Sequence, residues 1–385
     1  MIKNAIVVGG GVGGLACATA LAREGVAVTV LEQAPEIAEV GAGLQISPNG
    51  LAVLRALGLE GGLSRRGAVQ AQAVVLADYK RGAQVARLDL TRLHGQRYLF
   101  VHRADLIALL AQAARQANVS VELGRKVSAV VPGDVPQVRF DDGTSVRAEV
   151  VICADGLHSV GRQAVSPGPR AVFTGQVAWR ALVPGADMPP EARVTMAPGR
   201  HLVSYPVRDG AFTNLVAVQE RDSWADEGWH HKDDPEALRA AFADFGDPAQ
   251  ALLADVKEVS LWGLFRHPVA DTWARDNVAL VGDAAHPTLP FLAQGANLAL
   301  EDAWVLSRCL LEDSLQTGYQ TLRKPRAARV IEAASGNAWK YHLPNGPVRQ
   351  LAHLGLALGS KLMPGLMMRQ FDWIYGHDVT KDGKR

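Results

Sequence analysis

The sequence predicts a mixed α/β (α+β) protein. A unit built on a parallel sheet is visited three times, a second domain built on a mostly antiparallel sheet is inserted between the visits, and helices close the C-terminus. Three observations carry this reading. The chain opens with a strand, a glycine-rich turn, a helix and a second strand in "NAIVVGGGVGGLACATALAREGVAVTVLEQ". Short, almost wholly apolar runs recur far downstream, at Val150 to Cys153 and Val278 to Val281, as expected of strands buried on both faces. Between them, residues 173–265 are rich in strand patterns, with one helix near Pro235 to Phe245.

Composition sets the outer limits. A chain of 385 residues is too long for one small core and calls for two domains. The net charge of +1 leaves no basic surplus for a phosphate backbone, so no nucleic-acid partner is expected. Cys17, Cys153 and Cys309 lie far apart in apolar or helical contexts, without a C-x-x-C. They read as reduced core thiols of a cytoplasmic protein, and no metal site is expected. The apolar N-terminus resembles a leader peptide only superficially, since five of the six residues from Gly9 to Gly14 are glycine. No run reaches the ~18 apolar residues of a membrane span.

The opening unit is Rossmann-like. Ile6 to Val8 is a buried strand, Gly9-x-Gly11-x-x-Gly14 the turn, Leu15 to Arg23 a helix closed by Gly25, and Val26 to Leu31 the second strand. The first glycine permits the turn and the second lets a pyrophosphate approach the backbone. The third brings the helix onto the strand, so that the N–H groups at the helix start face the phosphates. Glu32 follows Gly14 by 18 residues, where a carboxylate can bind both ribose hydroxyls of an adenosine. The same charge repels a 2′-phosphate, so the nucleotide is FAD or NAD rather than NADP.

The remaining elements follow in order. A helix begins near Pro48 or Asn49 and ends before Gly58; residues 68–78 and 83–90 read as strands of a separate sheet; Arg103 to Gln116 is a helix; Asp142-Gly143 marks a hairpin. "VSPGPR" is a turn-rich crossing between domains. The expected division is 1–70, 99–170 and 268–345 for the nucleotide domain, 71–98 and 171–267 for the inserted substrate domain, and 346–385 for a C-terminal helical segment. Leu351 to Met368, rich in Leu and Met, is expected to pack over the substrate domain or a dimer partner rather than on a membrane. The chain is read as a monomer or homodimer.

The late stretch "GDAAHPTLPFLAQGANLALEDA" places an Asp, a His and two prolines ahead of a good helix. Ligands of open parallel sheets sit at the carboxyl ends of the strands, so Asp283, just past Val278 to Val281, can meet a second polar section of the nucleotide. Small residues at Gly295 and Ala296 open a helix whose positive end suits an anionic flat ring. FAD is long enough to need this second anchor. Asp and Gly are also ordinary loop and cap residues, and His286 is more readily a turn residue than a catalyst.

Three motifs together resemble the single-component FAD-dependent aromatic hydroxylases of the para-hydroxybenzoate hydroxylase type. They are Gly9-x-Gly11-x-x-Gly14 with Glu32, "DGLHSVGR" through Asp155, Gly156, Ser159 and Arg162, and "GDAAHPTLPFLAQGAN". "GAGLQISPNG", "HRADL" and "FDWIYGHDVT" extend the resemblance over nearly the whole chain, with salicylate hydroxylase, 3-hydroxybenzoate 6-hydroxylase and 6-hydroxynicotinate 3-monooxygenase the nearest branches. The resemblance implies bound FAD, NADH or NADPH as transient reductant, O2 as co-substrate, and a flavin C4a-hydroperoxide that hydroxylates a small aromatic acid. It implies that Glu32 binds the adenosine ribose, Arg103 reaches the FAD, Asp155 lies by the pyrophosphate and Asp283 holds the ribityl or pyrophosphate region. Gly295, Ala296 and Asn297 would face the isoalloxazine, with Pro290 beside them. Pro290 stands where 3-hydroxybenzoate 6-hydroxylases tend to carry a polar residue; it cannot donate a hydrogen bond, which leans toward a salicylate-like substrate.

For the substrate, "GRHLVSYPVRDG" offers the best chemistry. A period of two puts His201, Val203 and Tyr205 on one sheet face. A histidine there is suited to take a phenolic proton and a tyrosine to bind a polar substituent, and the resemblance implies that this pair borders the substrate. A half-buried strand with satisfied polar ends would show the same pattern. Arg180 could meet a carboxylate or an internal acid. Two other readings remain open: a hydroxylase or epoxidase of a larger polyketide- or quinone-like substrate, and an uncoupled NADH-oxidising flavoprotein.

Overall fold

A computed structural model describes residues 2–37, 42–93, 95–185, 188–222 and 231–381. Gly41, the first residue of one resembling motif, lies outside them.

Two sheets organise the chain. The first has six strands in the order Ala274–Arg275, Val278–Leu280, Val150–Cys153, Asn4–Val8, Ala27–Leu31 and Ser120–Glu122. Its pairs are parallel apart from the 274–275 edge. The three visits read from the sequence are therefore adjacent strands, with Val7 beside Ile152 and Ile152 beside Ala279. Val7, Val30, Ile152 and Leu280 are fully buried, as a sheet covered on both faces requires. One cover is the helix Val12–Arg23, which packs against the sheet and against the later helix Gly295–Leu311. It begins three residues earlier than expected because Gly11 is its N-cap, so the glycines themselves form the first helical turn.

The second sheet has eight strands in the order His231–Asp233, Val259–Arg266, Val172–Pro184, Phe212–Glu220, Arg200–Val207, Glu191–Ala197, Ala73–Asp78 and Gln84–Asp89. All its pairs are antiparallel except Ala73–Asp78 with Glu191–Ala197. Alternation divides its faces. Val177, Trp179 and Ala181 pack with Phe242, Phe245 and Leu253 on the outer side, whereas Ala178, Val218, Trp262 and Leu264 meet Phe291 on the side facing the first domain.

The single helix expected near 235–245 is two, Pro235–Ala241 and Asp247–Ala254. Gly246 breaks them: a Cβ there would stand 2.2 Å from the Lys80 carbonyl oxygen, and Pro248 starts the second helix in the position proline favours. The C-terminal helix Pro347–Leu362 packs over strand Gln84–Asp89 and leaves Leu351, Leu354, Leu358 and Leu362 exposed. All three cysteines are buried free thiols. No helix among the described residues is long and apolar enough to cross a membrane, and no group of three or more His, Cys, Asp or Glu among them could hold a metal ion.

Candidate active site

A continuous cleft lies between the carboxyl ends of the parallel strands and the inner face of the antiparallel sheet. Its outer part, about 680 Å³, is walled by the glycine turn, Glu32 and Asp155. Its inner part, about 320 Å³, reaches His201, Tyr205 and the 287–296 loop. Gly11, Arg103, Arg180, Trp262 and Asp283 border both.

The glycine turn is built as dinucleotide chemistry demands. Gly9 has φ +102°, and a Cβ on it would stand 2.4 Å from the Ala154 oxygen. A Cβ on Gly14 would meet the Gly9 oxygen at 2.1 Å. Protein packing thus dictates both. Gly11 differs: a Cβ there meets nothing within 4 Å, and the space it would enter is the cleft. No side chain caps the helix that Gly11 begins, so its first N–H groups are donors for an anion. Glu32 accepts from Gly10 N at 2.7 Å and Ala34 N at 2.9 Å, and each oxygen keeps a second lone pair for a ribose hydroxyl.

The "DGLHSVGR" motif works as a brace as well as a wall. Ser159 Oγ accepts from Arg162 N at 2.9 Å, capping the helix Val160–Val165. The Arg162 guanidinium donates to the Ala284 and Ala285 carbonyls at 3.3 Å, fastening the loop after Asp283. Asp155 accepts from Gly161 N at 3.2 Å through one oxygen, while its other oxygen is buried without a partner. Burial pushes its carboxyl up, against the Ser159 hydrogen bond. Asp283 is exposed to the cleft interior, yet the cleft walls enclose it and this enclosure raises its carboxyl. Both shifts move these two carboxyls in the direction of the neutral form.

The late helix meets the cleft at Gly295 and Ala296, with Pro290 in the same wall. Its N-cap, Gln294, lends no side-chain cap and no acid stands in its first turn, which leaves the positive end of the helix open to the cleft. Ala293, just before it, holds φ +52°, strain of the kind stored at ligand sites. Asn297 behaves otherwise than expected. Its side chain is fully buried and does not line the cleft. Its oxygen accepts from Ser47 N at 3.0 Å, and its nitrogen donates to Gln45 O at 3.0 Å and Ala293 O at 2.9 Å. It ties the late helix to the strand Gly43–Ile46 rather than facing a ring. His286 is likewise structural: buried, it pairs with Asp302 and stacks on Trp273 at 4.9 Å.

The inner chamber brings Arg180, His201 and Tyr205 together on one sheet face among Val203, Val216, Val218, Trp262 and Leu264. Burial lowers the Arg180 guanidinium to about 10, which leaves it charged at neutral pH, and its plane sits 4.6 Å over the Trp262 ring. Burial raises the Tyr205 hydroxyl, so it stays a proton donor. Burial, then His342, holds His201 well below its ordinary value, so its ring is neutral. His342, which meets His201, and Glu220, which meets His342, are linked to it by no spacing or motif in the sequence; only the period of two that carries Val216 and Val218 into the chamber also reaches Glu220.

These features define a dinucleotide-type cleft that continues into an inner chamber. The chain belongs to the FAD-binding monooxygenase family: residues 3–334 match the family described as FAD binding domain. It is an FAD-dependent aromatic monooxygenase. It is 39% identical over 357 residues to 3-amino-4-hydroxybenzoate 2-monooxygenase of Streptomyces cremeus, covering 89% of this chain and 88% of that one. It is 34% identical over 397 residues to 3-hydroxybenzoate 6-hydroxylase of Klebsiella oxytoca, covering 97% of each. A salicylate hydroxylase substrate complex superposes with a TM-score of 0.81 over 98% of this chain and 96% of that one. Its 23% identity speaks to the fold alone.

Proposed function

We propose that the protein hydroxylates a small aromatic acid bearing a ring hydroxyl, with NADH or NADPH as reductant and O2 as co-substrate. The observation that carries this is the convergence of Arg180, His201 and Tyr205 on the sheet face of the chamber, among otherwise apolar side chains of that face and beside the Pro290–Ala296 wall. Glu32, the N–H groups above Gly11, Arg103, Asp155 and Asp283 would hold the FAD, with Gly295 and Ala296 against its ring. Bound there, FAD supplies hydride acceptance and oxygen activation.

The chain's own residues supply the rest. Arg180 pairs with the substrate carboxylate as a charge-assisted donor. Tyr205, kept protonated, donates to a polar ring substituent. His201, kept neutral, accepts the ring hydroxyl's proton and so makes the ring electron-rich. Val203, Val216, Val218 and Phe291 keep water from the reacting centre. The chamber sits at the small end of the roughly 300–1,000 Å³ of ordinary ligand sites, which favours one ring over a polyketide. The salicylate-like leaning drawn from Pro290 gains no support beyond fold likeness, whereas the 39%-identical relative is named for an amino-hydroxybenzoate. The substrate class is therefore best stated as hydroxybenzoates, ring-amino ones included.

The test is NADH oxidation by the FAD-loaded protein with salicylate, 3-hydroxybenzoate, 4-hydroxybenzoate and 3-amino-4-hydroxybenzoate. At least one acid accelerates NADH oxidation clearly above the rate measured with none. Equal rates with every acid and with none would overturn the reading.

A further inference from the structure

His201 is an awkward terminal base. Its burial keeps it from holding a proton for long. Its surroundings resolve the difficulty. His201 Nδ1 lies 2.7 Å from His342 Nε2, and His342 Nδ1 lies 2.8 Å from Glu220 Oε1. The His342 side chain is 2% exposed and that of Glu220 54% exposed, so the line runs from the chamber wall through the interior to solvent. Among the described residues, Phe291 and Tyr341 flank the His201 ring, and the Gln176 amide approaches His342 Nδ1 at the longer distance of 3.4 Å.

We propose that His342 and Glu220 form a proton path that serves the chamber through His201. In the resting state both imidazoles carry their hydrogen on Nδ1. A ring hydroxyl gives its proton to His201 Nε2, and the phenolate keeps the electron pair. His201 Nδ1–H passes a proton to His342 Nε2, His342 Nδ1–H passes one to the Glu220 carboxylate, and Glu220 releases it to water. Each imidazole gains and loses one proton and ends as the Nε2–H tautomer; the reverse passage restores both. No imidazolium has to persist, so the low basicity of His201 suits the middle of a chain. Its use in catalysis rests on the function proposed above; the polarity of the chain does not.

Two measurements test it. In ¹⁵N spectra of the full-length, FAD-loaded, substrate-free protein at neutral pH, His201→Asn and His342→Gln spectra serving only for assignment, both rings show protonated Nδ1 and bare Nε2. Finding either ring as the Nε2–H tautomer sets the path in the wrong direction and overturns the proposal. In turnover with the best aromatic acid, Glu220→Gln lowers kcat by about tenfold, short of the ~10²–10⁴ a full acid–base group contributes, leaves KM within about twofold, and Glu220→Asp restores the rate. Glu220 stands half-exposed, so this change spares folding. An unchanged kcat in Glu220→Gln also overturns the path. If no aromatic acid is turned over at all, the functional reading fails, and the tautomers still decide whether the chain is built as described.

Discussion

Gly11 and Gly14 are the same residue for opposite reasons, and the difference can be measured. Gly14 is fixed by protein: its Cβ would meet the Gly9 oxygen at 2.1 Å. Gly11 is fixed by nothing in the protein, and its φ of −76° suits any residue. Gly14→Ala is therefore expected to cost about 3 kcal/mol or more of stability, the upper range of overpacking. Gly11→Ala should fold with an unchanged apo Tm but lose FAD affinity by about tenfold or more, because its methyl fills the pyrophosphate's place. Melting curves and flavin content separate the two. The glycine motif was readable because each position answers a local demand. Asn297 was not: its neighbours in the sequence point to a ring, but its partners, Ser47 and Gln45, are about 250 residues away. Likewise His201 and His342 are separated by 141 positions, with no pattern linking them.

At the scale of elements, the late helix is held by buried charge. Asp302 and Glu301 on it pair with Arg323 at 2.7 and 2.6 Å, and Glu301 also with Arg326 at 2.7 Å, binding it to the helix Gln320–Tyr341. Asp302 also receives Gly282 N at 3.1 Å and His286, so one carboxylate positions the turn that carries Asp283. Removing the Asp302 carboxylate takes from the buried Arg323 one of its two acids and from His286 its partner, and Asp302→Asn should cost about 3–5 kcal/mol. Burial alone would raise the Asp302 carboxyl, but the charges of His286 and Arg323 outweigh it and hold it down to about 2. A depressed carboxyl stabilises the fold above its unfolded value and loses that contribution as pH falls through its folded one. Urea titrations should therefore show the wild-type advantage over Asp302→Asn intact above about pH 4 and shrinking toward pH 2. Element positions were largely legible from periodicity and caps. The break at Gly246 was not, because the close approach that demands it comes from Lys80, in another strand's turn.

The whole molecule is a division of labour between two sheets that share one cleft. The parallel sheet presents helix ends and carboxyls to the outer part of that cleft, and the antiparallel sheet presents Arg180, His201 and Tyr205 to its inner part. The interleaving was legible because three apolar strands recur in the order a parallel sheet needs. The closure of the second sheet was not: the parallel pairing of Ala73–Asp78 with Glu191–Ala197 joins segments more than a hundred residues apart, with no turn between them to announce it. The measurement that tests the account most directly is turnover of the best hydroxybenzoate under isotopically labelled O2, with the product's mass recorded. One labelled oxygen atom is expected on the ring for each NADH consumed, less any lost as peroxide. NADH consumption that yields peroxide alone, or a product whose new oxygen comes from water, would contradict it.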